Sequence, residues 1–574
     1  MVQAMKQGSA VTINFRFSLY FLLFVMFIFM PQSGQAGPLK TGFLVVAADR
    51  GYLGNQELNT VMEQFRQTHT ARLALIGENR QGVEGGYADY VQRAVTELEE
   101  QGANNIVAIP MFLSGTDATL NPYRQQITAL KGRAEIQWAP AMAESYLTAQ
   151  ILLDRVEALS KQPKRERLVI LGSGAEDEAS AQRIKQDIEA LVQEVTDRHD
   201  FREVAVYVYY KRGSQGDQEK RNEAVDELII RTAAKHGRTL LVPFAIGAKF
   251  DQRMSMEGWM GRKFGEFDIA MGESILPHPD VLTWLKQTAN RYSSASKNQI
   301  GVLIMPHGST QPYNDGLEKV IAPLRKRYRI EVAPGMGDPL ILRRAVQKLE
   351  QEGITRIIFV RMYALQEAMK AETDYILGLS KESPAHHHGE LPPRIRSSAR
   401  FETFGGYEED ALIADILQQR ILEISKQAEN ETVILLAHGK MDDEADQRWL
   451  EVINGNIERI QKGLSRPFKS IKAMTLREDW SDKREQALIQ IKDEIEKGSR
   501  DGGRVLIISN RLYGSGPYQR LLEGSEFVMN GQGLVPHPNM TRWLEKGIEK
   551  NLRAASLPYG SSNKEVADVA RIGR

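Results

Sequence analysis

The sequence predicts an α/β protein made of several small parallel-sheet domains, and three observations carry that prediction. Apolar runs bounded by turn residues recur along the chain, as at Gly301–Pro306 and Thr432–Ala437. A continuous apolar run of this length suits a strand buried on both faces of a parallel sheet. The runs alternate with amphipathic segments that stop at glycine, the pattern of βαβ units with right-handed crossovers. Finally, 574 residues exceed what one core supports, so the chain divides.

Taken in order, the chain opens on a segment that is not part of the fold. Lys6 and Arg16 precede the apolar stretch Phe17–Met30, and Gly34 and Ala36 stand at cleavage spacing. Residues 1–36 read as a secretory signal peptide, and its apolar stretch of 14 residues is short for a membrane span of roughly 20 residues. A periplasmic or secreted protein is expected, with membrane attachment only if this segment stays uncut.

The first quarter then shows a strand at Gly42–Ala47, a helix with Tyr90, Val91, Ala94, Val95 and Leu98 on one face, a stop at Gly102, and a strand at Ile106–Phe112. The second quarter opens at Arg167–Gly172. The third opens at Gly301–Pro306 and carries a helix marked by Leu342, Val346 and Leu349, a stop at Gly353 and a strand at Ile357–Met362. The fourth opens at Thr432–Ala437.

These quarters are two copies of one pair. Pro277-His278-Pro279 with Trp284 returns as Pro536-His537-Pro538 with Trp543. Lys220-Arg221 with Ala224 returns as Lys483-Arg484 with Ala487, and Ala149–Arg155 returns as Ala414–Arg420. Matches at nearly one spacing define an internal duplication. The domains expected are A1 (37–163), B1 (164–298), A2 (299–428) and B2 (429–555), followed by a disordered tail (556–574). Each is about 130 residues, an ordinary domain size. Residues 381–398 form a polar, Pro-rich insertion without periodicity.

Composition narrows function. Lys+Arg and Asp+Glu both number 74, so no basic excess points to nucleic acid. The chain has no cysteine, which excludes disulfides, thiolate metal sites and a Cys nucleophile. No phosphate loop or dinucleotide fingerprint is present, so no nucleotide is expected. The chemistry-bearing feature is a His-Gly pair that ends two of the four opening strands, His307-Gly308 and His438-Gly439. Open α/β sheets bind ligands at that end of their strands. A neutral imidazole there can ligate cobalt, iron, nickel or zinc, and can also take a proton.

Leu303-Ile-Met-Pro-His307-Gly308-Ser309 resembles the opening of the class II tetrapyrrole chelatases, the sirohydrochlorin cobalt and iron chelatases, and Leu435-Leu-Ala-His438-Gly439 is similar. Ala94–Gly102 followed by Ile106–Leu113 resembles that family's helix, glycine and strand ending in a Pro-Leu-Phe-like segment. The resemblance implies four flavodoxin-like chelatase domains in the order A-B-A-B, with paired domains facing across a cleft that takes a tetrapyrrole macrocycle. It implies a divalent metal ion (cobalt, iron or nickel) as substrate or ligand, with His307 and His438 as ligand and base. Ser309 and Met369 would line the guest; either the two imidazoles share one ion, or Glu367, Glu372 or Asp374 supplies oxygen ligands.

Several positions depart from that pattern. Ala48 and Ser173 stand in the first copy where the second has His307 and His438, so the first copy reads as catalytically empty. Met369 stands where the family carries a second histidine. Metal insertion, plain binding of metal or tetrapyrrole, and a scaffold role therefore all remain open. His278 and His537, each between two prolines, read as helix starts with the following Trp in the core. His386, His387 and His388 read as exposed and incidental.

Overall fold

The computed structural model describes residues 39–77, 86–211, 217–235, 237–247, 256–382, 384 and 391–558. The signal-peptide reading, His386–His388 and all but the first three residues of the expected tail lie outside these residues.

Four parallel sheets form, one per domain. In A1, β1 (Thr41–Ala48), β2 (Ala71–Ile76), β3 (Asn105–Pro110) and β4 (Glu135–Trp138) lie in the order β2-β1-β3-β4. In B1, β5 (Arg167–Ala175), β6 (Glu203–Tyr210), β7 (Thr239–Pro243) and β8 (Ile269–Met271) lie as β6-β5-β7-β8. In A2, β9 (Ile300–Met305), β10 (Arg329–Val332), β11 (Arg356–Arg361) and β12 (Arg400–Gly405) lie as β10-β9-β11-β12. In B2, β13 (Glu431–Ala437), β14 (Ser470–Thr475) and β15 (Arg504–Ser509) lie as β14-β13-β15, and Val528 adds a parallel bridge to Leu506. The chain is α/β with four flavodoxin-like domains. The opening strand of each domain is central in its sheet and buried on both faces, which is why it reads as an unbroken apolar run.

The expected helices form with their apolar faces inward. Val91, Val95 and Leu98 are buried on the helix Gly86–Glu100, and Leu342, Val346 and Leu349 on Pro339–Gln351. The strands after them start and stop one or two residues early, at Pro110 and Arg361.

Within each pair the closing helices cross over. The helix Tyr146–Leu159 leaves A1 and packs on the helix Glu178–Thr196 and β7 of B1, while Pro279–Tyr292 leaves B1 and packs on Gly51–Arg66 and β3 of A1. The second copy repeats this. Ala411–Leu422 packs on Asp443–Gly463 and β15, and Pro538–Ser556 packs on Gln311–Arg325, β9, β11 and β12. Each pair therefore shares one continuous apolar core across its two domains. His278 and His537 cap the returning helices, each accepting a backbone N–H at 3.1 Å through Nδ1. Trp284 and Trp543 are buried one turn on. The last helix runs through Ser556, whose carbonyl accepts the Ala295 N–H at 3.0 Å, so this part of the expected tail is ordered helix.

Polar detail repeats as well. The buried Glu166 carboxylate accepts from Ser160 Oγ, the Lys161 and Gln162 amides and Arg238; the buried Glu431 accepts from Ser425 Oγ, the Lys426 amide and Arg504.

The two copies meet along residues 391–400. Tyr146 Oη donates to the Ile395 carbonyl at 2.7 Å, and Gln287 and Asn290 donate to those of Ser397 and Ser398. Glu194 of the first copy takes Arg394 at 2.9 Å, with Arg198 and Tyr375 Oη on its other oxygen. Residues 391–398 of the stretch expected to be a polar insertion thus form a seam, with Arg394, Ile395 and Ser397 almost inaccessible. Among the described residues no helix is long and apolar enough to cross a membrane.

Candidate functional site

His307 and His438 end β9 and β13 in matching fashion. His307 follows β9 after Pro306 and His438 follows β13 directly, and the next glycine turns the chain with positive φ, 74° at Gly308 and 88° at Gly439. Both rings make the same local bond. His307 Nδ1 lies 2.7 Å from the Gly308 carbonyl, and His438 Nδ1 lies 3.0 Å from that of Gly439. A carbonyl accepts only, so Nδ1 carries the proton and Nε2 is the nitrogen left for a guest. His307 is exposed, whereas His438 is half-buried between Trp449 (rings 6.5 Å apart, 18° from parallel) and Trp480 (6.1 Å, edge-on). His438 Nε2 lies 3.1 Å from Asp479 Oδ2. The Nε2 edge of the ring thus faces a carboxylate oxygen, and the two could share one cation.

A2 and B2 touch beside these turns. The Tyr313 and Tyr513 rings meet edge-on at 5.8 Å, and a Cβ on Gly316 would stand 2.8 Å from the Tyr513 ring. The Tyr313 hydroxyl is pushed up to about 12 by burial, against the backbone of Gly308 and His307. Tyr363 Oη donates to the Gly335 carbonyl at 2.8 Å, and burial raises its pKa and that of Tyr407. Arg511 pairs with Glu478. Next to Tyr407, the fully buried Glu408 accepts Trp449 Nε1–H at 2.5 Å, and burial raises its carboxyl to about 8.

The remaining sequence candidates divide. Ser309 lies exposed in the His307 turn. Met369 has φ 58°, and its Cε sits near Gly337; Glu372 lines a hollow with Gly335, Met336, Gly337 and Asp338. That turn adjoins the His307 loop, since the Gly335 amide donates to the Pro306 carbonyl at 3.0 Å. Asp374 is engaged elsewhere: it pairs with Lys370, and the charge of buried Arg361 is felt from it.

Sequence reasoning missed Asp479, Trp449 and Glu408. Among the described residues, the group of three potential ligands that lies closest together is instead Asp154, His278 and Asp280. Its cation position is filled by Arg396, which reaches Asp154 at 2.5 and 2.6 Å and Asp280 at 3.0 Å.

In the first copy Ala48 and Ser173 occupy the strand ends, and the domains close directly on each other. The Ala118 amide of A1 donates to the Gly174 carbonyl of B1 at 2.8 Å. A Cβ on Gly174 would fall 2.2 Å from Asp117 Oδ2, and one on Gly247 1.7 Å from Arg50 Nη1. Burial raises the Asp117 carboxyl to about 6.

No protein-family model matches this chain, and no curated protein does. Among solved structures, SirB from Bacillus subtilis with Fe3+ aligns with 44% of this chain and 96% of its own, at 14% identity and a TM-score of 0.33. At that score the likeness establishes neither family nor activity.

Proposed function

We propose that the second copy is the working half of an exported chelatase-like protein, holding a divalent metal ion (cobalt, iron or nickel) with a tetrapyrrole of sirohydrochlorin type between A2 and B2. The observation that carries this reading is the matched pair of imidazoles at the ends of β9 and β13, each tied back through Nδ1 to its own glycine carbonyl. Imidazole nitrogen suits these metals. Asp479 adds an oxygen ligand on the His438 side. Tyr313, Tyr513 and Trp480 nearby would offer a macrocycle flat apolar surface.

A binding protein rather than an insertion enzyme is favoured by one observation. Catalytic metal centres usually use three protein ligands. Among the described residues, neither His307 nor His438 belongs to a close group of three His or carboxylate ligands.

The test supplies sirohydrochlorin and Co2+ to residues 37–574 and follows the absorption of the metallated ring. A rate above the spontaneous one that disappears in His307→Ala/His438→Ala supports insertion. Saturable binding of ring or metal without a rate supports the binding version. Neither rate nor binding removes both.

A further inference from the structure

The second copy holds a buried polar group that its proposed chemistry has not used. Glu408 is wholly inaccessible at the A2–B2 contact. Its Oε2 accepts Trp449 Nε1–H across the domain boundary, and its backbone carbonyl accepts Asn456 Nδ2 at 2.9 Å. Its Oε1 and both amide atoms of the neighbouring Asn510 are buried without a completed hydrogen bond. Asn510 can meet Oε1 in either state, its Oδ1 accepting from a protonated carboxyl and its Nδ2–H donating to an ionised one. The same Trp449 ring lies 6.5 Å from the His438 ring, within 18° of parallel.

We propose that Glu408 of A2 and Trp449 of B2 form the rest on which the His438 imidazole is held, so that the A2–B2 contact fixes the plane of this ring. Glu408 and Trp449 are positioning residues; neither touches the guest. The functional consequence rests on the reading of His438 as a ligand, whereas the structural consequence does not. A ligating histidine depends on groups around it for its orientation, and losing them typically weakens metal binding about 10- to 100-fold.

The charged and titratable surroundings are consistent with a neutral acid. Lys440 Nζ lies 5.8 Å from the Trp449 ring, Glu409 is paired with Arg448, and Arg511, paired with Glu478, stands on the Tyr407 side. Among the described residues no cation forms an ion pair with Glu408, and burial keeps the carboxyl protonated through neutral pH.

The test uses the full chain with Zn2+ as probe. Calorimetry reads affinity, and NMR of labelled histidine reads the His438 ring resonances with and without metal. Glu408→Ala and Trp449→Phe should each shift the His438 resonances and weaken Zn2+ binding about ten-fold or more. Trp449→Phe keeps a ring and deletes only the N–H side of the link, so it covers the case in which Glu408→Ala does not fold. Glu408→Gln should keep wild-type resonances at pH 7 and abolish a change that the wild type undergoes near pH 8. His438 resonances unmoved in both Glu408→Ala and Trp449→Phe would overturn the proposal. If the wild type binds no Zn2+ at all, the metal-site reading fails, and the resonance shifts still decide whether the rest exists.

Discussion

The two copies share one architecture and differ most where their paired domains meet. Glu408, Trp449, Asn456 and Asn510 of the second copy align, by strand register and helix start, with Ala143, Ile184, Leu191 and Phe244 of the first, all within its apolar core or buried beside it. The strand-end residues His307 and His438 align with Ala48 and Ser173. At the positions of Glu408, Trp449, Asn456 and Asn510 the first copy is apolar, its own acid raised by burial is Asp117, and its domains are closed by the Ala118–Gly174 bond. The second spends stability on a buried acid and keeps a half-open histidine pair. The copies share what the fold requires, such as the Glu166 and Glu431 networks, and differ in which polar groups line the contact between their domains.

The largest expected effect comes from forcing the first copy to resemble the second. Ala143→Glu would bury a carboxyl with neither indole nor amide to receive it, at a cost of about 4 kcal/mol or more in urea unfolding. An unchanged midpoint would show that the seam between A1 and B1 is not closed.

Next comes the seam between copies. Glu194→Ala leaves Arg394 buried without its carboxylate, and about 3 kcal/mol of stability should be lost. Because this pair joins the copies, unfolding should also split into two transitions, readable by comparing fluorescence with circular dichroism.

Glu408 gives a smaller, pH-dependent difference. Its folded pKa is raised, so between the unfolded carboxyl value near 4.5 and about 8 the folded chain holds a proton that the unfolded chain has released. Stability attributable to this group therefore falls as pH rises through that window and levels off above it. Glu408→Gln removes the penalty. It should match the wild type near pH 4.5 and exceed it by on the order of 2 to 3 kcal/mol two units higher, at about pH 6.5. Parallel pH profiles would contradict this.

The smallest expected effect is a null one. Ala48→His with Ser173→His restores histidines to the first copy, but its strand ends stay blocked by Asp117 and Ala118. The number of Co2+ sites per chain should not rise; a second site of similar affinity would refute the claim that the first cleft is shut.

Much of the fold was legible because its signals are local. Buried strands such as Thr432–Ala437, helical faces such as Leu342, Val346 and Leu349, and glycine stops appear within a few residues of one another. The Pro-His-Pro helix starts were readable for the same reason. The crossing of the closing helices and the burial of Arg394 and Ile395 were not, since both depend on partners far away in sequence. In the site, the His-Gly turns announced themselves. Glu408 sits in Tyr407-Glu408-Glu409 and reads as surface charge, and Trp449 reads as an ordinary core aromatic. A residue-by-residue alignment of the copies, setting Glu408 against Ala143 and Trp449 against Ile184, was the signal that could have found them. Asp479 had none, because only the folding of the loop after β14 brings it to His438.

The most direct test of the central claim is X-ray absorption on Co2+-loaded full-length protein, comparing the wild type with His307→Ala and His438→Ala. The prediction is one cobalt per chain with two imidazole nitrogens, one of them lost in each single variant. A cobalt environment without imidazole, or one that both variants leave unchanged, would contradict it.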